Sequence, residues 1–133
     1  MNLFIYVAFT FLTVLACNSN DLTEDKEVEL KKITNLEEEI VALAASSVCN
    51  DKTECDAIAF GSKPCGGPWS YLVYSNSIDI DLLKSKVEEF NKMQKEYNTK
   101  HGIISDCAVV MPPRDIICED NKCKAVDNSV PIE

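Results

Sequence analysis

The chain has 133 residues, which suits one domain, and its few glycines and prolines argue against wholesale disorder. Its 22 acidic side chains outnumber its 13 basic ones, giving a formal net charge of -9. No basic patch is present, which excludes nucleic acid as a partner, because phosphate neutralisation supplies most of that binding energy.

The first sixteen residues form one apolar run that contains no charged side chain. The run is shorter than the roughly 20 residues that a bilayer span needs. It ends at Val14-Leu15-Ala16, directly before Cys17, and small residues at such a point are typical of a cleaved secretory signal. The arrangement resembles the lipobox of bacterial lipoproteins, which implies a signal peptide over 1–16 and a lipid on Cys17. An ordinary signal peptide is the alternative.

The cysteine count favours the lipoprotein reading. There are seven cysteines, and assigning Cys17 to lipid leaves an even set. In an exported domain of this size an even set predicts disulfide bonds, although sequence alone does not choose the pairing. Zinc is less favoured, because no CxxC pair is present and the compartment is oxidising, so we expect no metal or cofactor. The predicted disulfide cysteines are Cys49, Cys55, Cys65, Cys107, Cys118 and Cys123.

Acidic side chains concentrate soon after Cys17, in a segment without sustained apolar periodicity. We therefore predict a flexible acidic tether over 17–34 and a single domain over 35–133. A helix is predicted to begin at the cap residue Asn35 and to end before Cys49. Its apolar stripe consists of Leu36, Ile40, Leu43 and Ala44.

Two short strands and a long helix follow. The strands are predicted over 54–60 and 70–75, and the loop between them is rich in glycine and proline. The helix is predicted to be capped by Asp79, to run to about Lys100 and to end at Gly102. Its apolar face consists of Ile80, Leu83, Val87, Phe90 and Tyr97.

The last segments are predicted to be extended. An apolar run over 103–111 predicts a central strand, and 116–126 predicts a β-hairpin that turns at Asp120-Asn121. In that hairpin Cys118 and Cys123 face each other, so they either bridge each other or each meet another cysteine. The predicted class is α+β, with one long helix covering a small antiparallel sheet.

The segment Phe60-Gly61-Ser62-Lys63-Pro64-Cys65-Gly66-Gly67-Pro68-Trp69-Ser70-Tyr71 is distinctive. Together with Ser105-Asp106-Cys107 and the Cys118-x4-Cys123 end, it resembles a group of small cysteine-rich lipoproteins of Bacteroidota over about residues 49–125. That group has no assigned activity. The resemblance implies a lipid-anchored protein of the bacterial cell envelope, expected at the outer membrane on its periplasmic or surface face, and supplies no mechanism.

Sequence motifs for catalysis are missing. The single histidine, His101, is predicted in the last turn of a helix, where a cation suits the helix dipole. No nucleophile elbow or serine-lysine motif is present, and Asp79 and Asp81 fit a helix start better than an acid–base pair. We therefore expect a protein that is not an enzyme.

The loop over 61–70 has two interpretations. It is either a structural turn or a rigid binding loop anchored by a disulfide, and in the second case it would bind another protein. Protease inhibition is one form of that function, with Lys63-Pro64-Cys65 as an exposed peptide. The alternative is a structural or accessory subunit of an envelope complex, with the loop buried. The candidate binding residues are Lys63, Pro64, Gly66, Gly67, Trp69 and Tyr71.

Overall fold

The computed structural model describes the backbone of residues 20–126 and the side chains of residues 25–126. The predicted signal peptide over 1–16 and the predicted lipidation at Cys17 lie outside these residues. The elements are α1 (Asn20–Ser46), β1 (Cys55–Phe60), β2 (Ser70–Ser75), α2 (Ile80–Lys100), β3 (Asp115–Glu119) and β4 (Lys122–Val126).

Helix α2 begins and ends where its local sequence predicts. The Asp79 side chain accepts a hydrogen bond from the Leu82 amide at 2.9 Å and so caps the first turn. His101 ends the helix, and Gly102 follows at a φ of +58°, a conformation that favours glycine. The predicted apolar face is confirmed, with Leu83, Val87, Phe90 and Tyr97 buried.

Helix α1 is longer than predicted. The prediction of a flexible tether is wrong for residues 20–34, and Asn35 lies within the helix instead of capping it. The reason is tertiary contact with α2. Ile33 is buried in the core, and the Glu29 carboxylate pairs with Lys100 and His101 at the end of α2. Packing of this kind stabilises a helix that its own sequence leaves marginal.

The strands form two separate antiparallel hairpins. Strand β1 pairs with β2, from Cys55 opposite Ser75 to Phe60 opposite Ser70. Strand β3 pairs with β4, and the predicted turn there is confirmed, because Asp120 and Asn121 both adopt the positive φ angles of a type I′ turn. Both helices contact the β1–β2 hairpin, and the β3–β4 hairpin lies against its strands.

The α+β class is therefore confirmed, with two helices, instead of one, against the first hairpin. The prediction of a central strand over 103–111 is wrong, because this segment has no regular secondary structure. Ile103, its first residue, packs against the core cluster, but the apolar side chains beyond it point to solvent: Ile104 is 91% exposed and Val109 is 82% exposed. The core is built instead from the helices and the first hairpin, where Phe60 and Phe90 stack with ring centroids 4.6 Å apart.

Between residues 20 and 126 three disulfide bonds are present, as predicted. They join Cys49 to Cys118, Cys55 to Cys123 and Cys65 to Cys107, with Cα–Cα distances of 5.8, 5.7 and 5.5 Å. Each closes a long loop, and such a bond typically stabilises a small domain by about 2–4 kcal/mol, mainly by restricting the unfolded chain. The Cys49–Cys118 and Cys55–Cys123 bonds contribute most to holding β3 and β4 in place, because the side chains of these strands are largely exposed.

Between residues 20 and 126, neither helix is both long and apolar enough to cross a membrane.

Replacing Ile33 with alanine tests whether the first half of α1 belongs to the fold. Because the Ile33 side chain is buried, we expect Ile33→Ala to lower the free energy of unfolding by about 2–4 kcal/mol. Val41 is 43% exposed on the same helix, and Val41→Ala should change it by less than about 0.5 kcal/mol. Urea unfolding of the oxidised protein, followed by circular dichroism, measures both. Equal stabilities would mean that residues 20–34 do not pack on α2.

Candidate functional site

The candidate site lies where the loop over 61–70 meets the irregular segment over 103–114, which we call the strap. The loop connects β1 to β2, and the strap connects α2 to β3. The Cys65–Cys107 bond joins the two covalently. A backbone without regular structure is thereby fixed to the end of a hairpin.

Lys63 is the main noncovalent link between the loop and the strap. Its ammonium group donates hydrogen bonds to Asp106 Oδ1 at 3.0 Å and to the Ala108 carbonyl at 2.9 Å. The same group lies 5.1 Å from the centroid of the Trp69 ring, within range of a cation–π interaction. The Lys63 side chain is only 5% exposed. The prediction that it is an exposed contact residue is therefore wrong, because the strap covers it.

The ion pair with Lys63 alters the acidity of Asp106. The hydrogen bond from Lys63, followed by its positive charge, lowers the pKa of this carboxyl below its ordinary value. Because the pKa is lowered in the folded state, the ion pair stabilises the fold at pH values above the ordinary pKa of the carboxyl group. The contribution is lost as the pH falls through the lowered pKa. The link thus stays intact at neutral pH.

The tip of the loop is a tight turn built on two glycines. The Lys63 amide donates to the Gly67 carbonyl and the Gly66 amide donates to the Lys63 carbonyl, both at 2.9 Å. Gly66 and Gly67 have φ angles of +95° and +78°, which other residues rarely adopt. Both glycines are exposed and Pro64 is half-buried, so the loop presents mainly backbone at its tip.

Amide side chains of α2 hold the base of the loop. Asn91 Oδ1 accepts from the Gly61 amide at 2.7 Å, and Gln94 Oε1 accepts from the Ser62 amide at 2.5 Å. One helical turn further, Asn98 donates to the Ser62 carbonyl at 2.8 Å. These three residues were not predicted to belong to the site. Their signal in the sequence is the recurrence of amide side chains at helical spacing beside the apolar face.

Trp69 and Tyr71 have different surroundings. Trp69 packs over Gly61, where an added Cβ atom would lie 2.7 Å from the ring, and the indole is still 42% exposed. Tyr71 lies in β2 opposite Ala59 and is half-buried. The structure therefore brings Trp69 to the surface beside Lys63, whereas Tyr71 belongs to the hairpin.

The strap exposes large apolar side chains that were not predicted as site residues. Ile104, Val109 and Met111 are 91%, 82% and 73% exposed. Their apolar character was interpreted as that of a central strand, which would have placed them in the core. A backbone anchored at Asp106, Cys107 and Ala108 that presents these side chains to solvent is suited to contact with another apolar surface.

A second concave region lies between the helices and is a groove of about 360 Å³ lined mainly by Ile33, Met93, Tyr97 and Lys100. At its rim, Glu29 pairs with Lys100, and its second oxygen lies 2.9 Å from His101 Nε2. The hydrogen bonds from Lys100 and then His101 lower the pKa of Glu29. The histidine ring thus bonds to a carboxylate of α1 and packs against the ring of Tyr97, an arrangement that joins the two helices.

Comparison with protein-family models, with curated proteins and with solved structures finds no match to this chain. The resemblance to cysteine-rich lipoproteins thus stays a prediction from the sequence.

Substituting Lys63 with methionine tests the link between the loop and the strap. Methionine keeps the aliphatic stem but removes the donors to Asp106 and Ala108, so we expect the free energy of unfolding to fall by about 1.5–3 kcal/mol. Amide hydrogens of the strap should also exchange faster. Lys92 is exposed on α2, and Lys92→Met is the matched control, with little expected effect. A Lys63→Met protein with unchanged stability and exchange would contradict the role given to Lys63.

Proposed function

We propose that this chain is a lipid-anchored protein of the bacterial cell envelope that acts as a non-enzymatic binding module for another protein. The observation that carries the proposal is the strap. It exposes Ile104, Val109 and Met111 on a backbone that the Cys65–Cys107 bond and Lys63 hold in place.

Exposed apolar side chains of this size favour contact with a protein surface. Burying each of them in an interface would contribute roughly 1.5–3 kcal/mol from apolar area. Trp69 lies close to the strap, since the Lys63 ammonium contacts both its ring and Ala108. Tryptophan is among the residues that most often dominate binding energy. The proposed binding surface therefore consists of the strap and Trp69.

Rigidity of the surface lowers the entropic cost of binding. A segment that is already fixed loses little conformational freedom when a partner covers it. Here the strap is fixed by one covalent bond and by the hydrogen bonds of Lys63 to Asp106 and Ala108. Inhibition of a trypsin-like protease through Lys63 is not part of this proposal, because the side chain that such a protease would bind is covered.

Export is supported by the disulfide bonds, which persist in oxidising compartments such as the bacterial periplasm. Only two residues would separate a lipid on Cys17 from the start of α1 at Asn20. The domain would then be attached to the membrane through a helix instead of the long flexible tether expected from the sequence. Its orientation would be coupled to the direction of α1.

A permanent accessory subunit of an envelope complex is the alternative function. It would use the same surface, because exposed apolar side chains are also typical of subunit interfaces. The two functions differ in the lifetime of the complex with the partner. A binding module exchanges between free and bound states, whereas an accessory subunit keeps Trp69 covered throughout.

Removing the apolar side chains of the strap tests the binding surface. We expect the triple variant Ile104→Ser, Val109→Ser, Met111→Ser to lose at least about a thousandfold in affinity for its partner, since each buried side chain contributes roughly 1.5–3 kcal/mol. Partners captured from envelope extracts by the wild type should be lost, and binding should change the fluorescence of Trp69, the only tryptophan. If the partner-bound protein exchanges completely with added free protein, the chain is a binding module. If it does not exchange, the chain is an accessory subunit.

The matched control carries the same substitution at exposed apolar residues outside the strap. Val28, Val41 and Leu82 are 48%, 43% and 44% exposed, and replacing all three with serine should leave the captured partners unchanged. Capture that persists in the strap variant, or that is lost equally in the control, would refute the proposed surface.

The lipid anchor is tested by metabolic labelling with a radiolabelled fatty acid. We expect the wild type to carry label and to sediment with membranes, and Cys17→Ala to carry none, because the thiol is the acylation site in the lipobox arrangement. Ser19→Ala is the control and should keep its label. An unlabelled wild type would point to an ordinary signal peptide, and a label that persists in Cys17→Ala would place the lipid elsewhere.

A further inference from the structure

Two of the disulfide bonds lie side by side. The Sγ atoms of Cys49, Cys55 and Cys123 all lie within 4.8 Å of one another, and the Sγ atom of Cys118 is bonded to that of Cys49. Four sulfur atoms from three segments of the chain thus form one cluster. The third bond, Cys65–Cys107, belongs to the loop and the strap.

The backbone around this cluster is suited to tetrahedral coordination. Cys118 and Cys123 occupy directly opposed positions on the β3–β4 hairpin, so their side chains leave the same face. Cys49 and Cys55 approach them from the segment before β1 and from its first residue. The hairpin is held in place beside Cys49, whose amide donates to the Asn121 carbonyl at 3.1 Å.

Zinc in a four-cysteine site has Zn–S distances of about 2.3 Å, which places neighbouring sulfur atoms about 3.8 Å apart. The Sγ atoms of Cys49, Cys55 and Cys123 already lie within 4.8 Å of one another. Reduction frees the two sulfurs of each pair to move apart from the bonded distance of about 2 Å, so shifts of about 1–2 Å would meet this geometry. The Cys118-x4-Cys123 spacing also falls within the range that zinc sites use. Geometry thus permits either two disulfides or one metal ion at the same place.

We propose that the cluster of Cys49, Cys55, Cys118 and Cys123 is a zinc site when its disulfides are reduced. A dithiol reductant breaks each S–S bond, passing two electrons and two protons to the pair of sulfurs and becoming a cyclic disulfide itself. The four thiols then bind Zn²⁺ as thiolates and release their protons to solvent. The proposal does not depend on the proposed binding function.

The surroundings favour such a site. Cys49 is fully buried, whereas Cys55 and Cys123 are partly buried, so the ion would be shielded on one side and accessible on the other. The ammonium group of Lys122 donates to the Ala45 and Ser47 carbonyls, close to Cys49, and its charge opposes the negative charge of four thiolates.

The metal would have the same structural effect as the disulfides. Strands β3 and β4 have mainly exposed side chains, so the hairpin depends on cross-links to the rest of the fold. Zinc bound by two cysteines from the hairpin and two from the first half of the domain would supply that cross-link. The two states exclude each other, because a sulfur in a disulfide cannot act as a thiolate ligand.

The test uses the full chain with Cys17→Ser, so that only the six remaining cysteines can bind metal. The protein is reduced with a dithiol, freed of reductant without oxygen, and titrated with Zn²⁺ against a chromophoric chelator. We expect one zinc per chain and none in the oxidised protein. Co²⁺ as a spectroscopic probe should give the absorption bands of a tetrahedral four-thiolate site.

Cysteine variants locate the site. Cys118→Ser should weaken zinc binding by about a hundredfold or more, whereas the matched double variant Cys65→Ser, Cys107→Ser should bind as the wild type does. Zinc should also restore the circular dichroism signal of the folded protein if reduction has removed it, which tests the proposal even when the reduced apoprotein unfolds. No binding, a ratio other than one, or an equal loss in the double variant would overturn it.

Discussion

Cross-links to the first half of the chain are the constraint on which the strap and the β3–β4 hairpin depend. The core consists of α1, α2, β1 and β2, and it is complete by residue 103. Beyond that point few apolar side chains are buried. The strap and the hairpin are therefore held by three disulfide bonds and by two lysines, Lys63 and Lys122, which bond to backbone carbonyls. Exposure of the strap is possible because its position does not depend on burying its own side chains.

Features that local chemistry determines could be predicted from the sequence. The cap at Asp79, the turn at Asp120-Asn121 and the positions of β1 and β2 depend on residues a few positions apart. The first half of α1 could not be predicted, because Ile33 and Glu29 are stabilised by residues of α2 that lie far along the chain. The strap was predicted as a strand because its composition is apolar, but a strand also needs a partner edge, and no local pattern reports whether one exists.

In the candidate site, too, local features could be predicted from the sequence and contacts between distant residues could not. The glycines, the prolines and Cys65 identify the loop from the sequence alone, and Trp69 is visible as its aromatic residue. The sequence does not reveal where the Lys63 side chain points, because its partners Asp106 and Ala108 are 43 and 45 residues away along the chain. A lysine in a loop is usually exposed, and only a pairing partner explains why this one is covered. The proposed binding residues therefore lie mainly on the strap, whereas the sequence had placed the candidate binding residues on the loop.

The two sites lie at opposite ends of α2. The Ser62 carbonyl bonds to Asn98 near the end of that helix, whereas Val48, next to Cys49, bonds to Ser77 before its start. A helix of 21 residues is about 30 Å long, so the loop end of the strap, at the Cys65–Cys107 bond, and the cysteine cluster lie near opposite ends of that length. The strap has its own disulfide, Cys65–Cys107, at the end away from the cluster. A change between disulfide and metal in the cluster would therefore leave the loop end of the strap in place, because the hydrogen bonds of Lys63 and the third disulfide do not pass through the cluster.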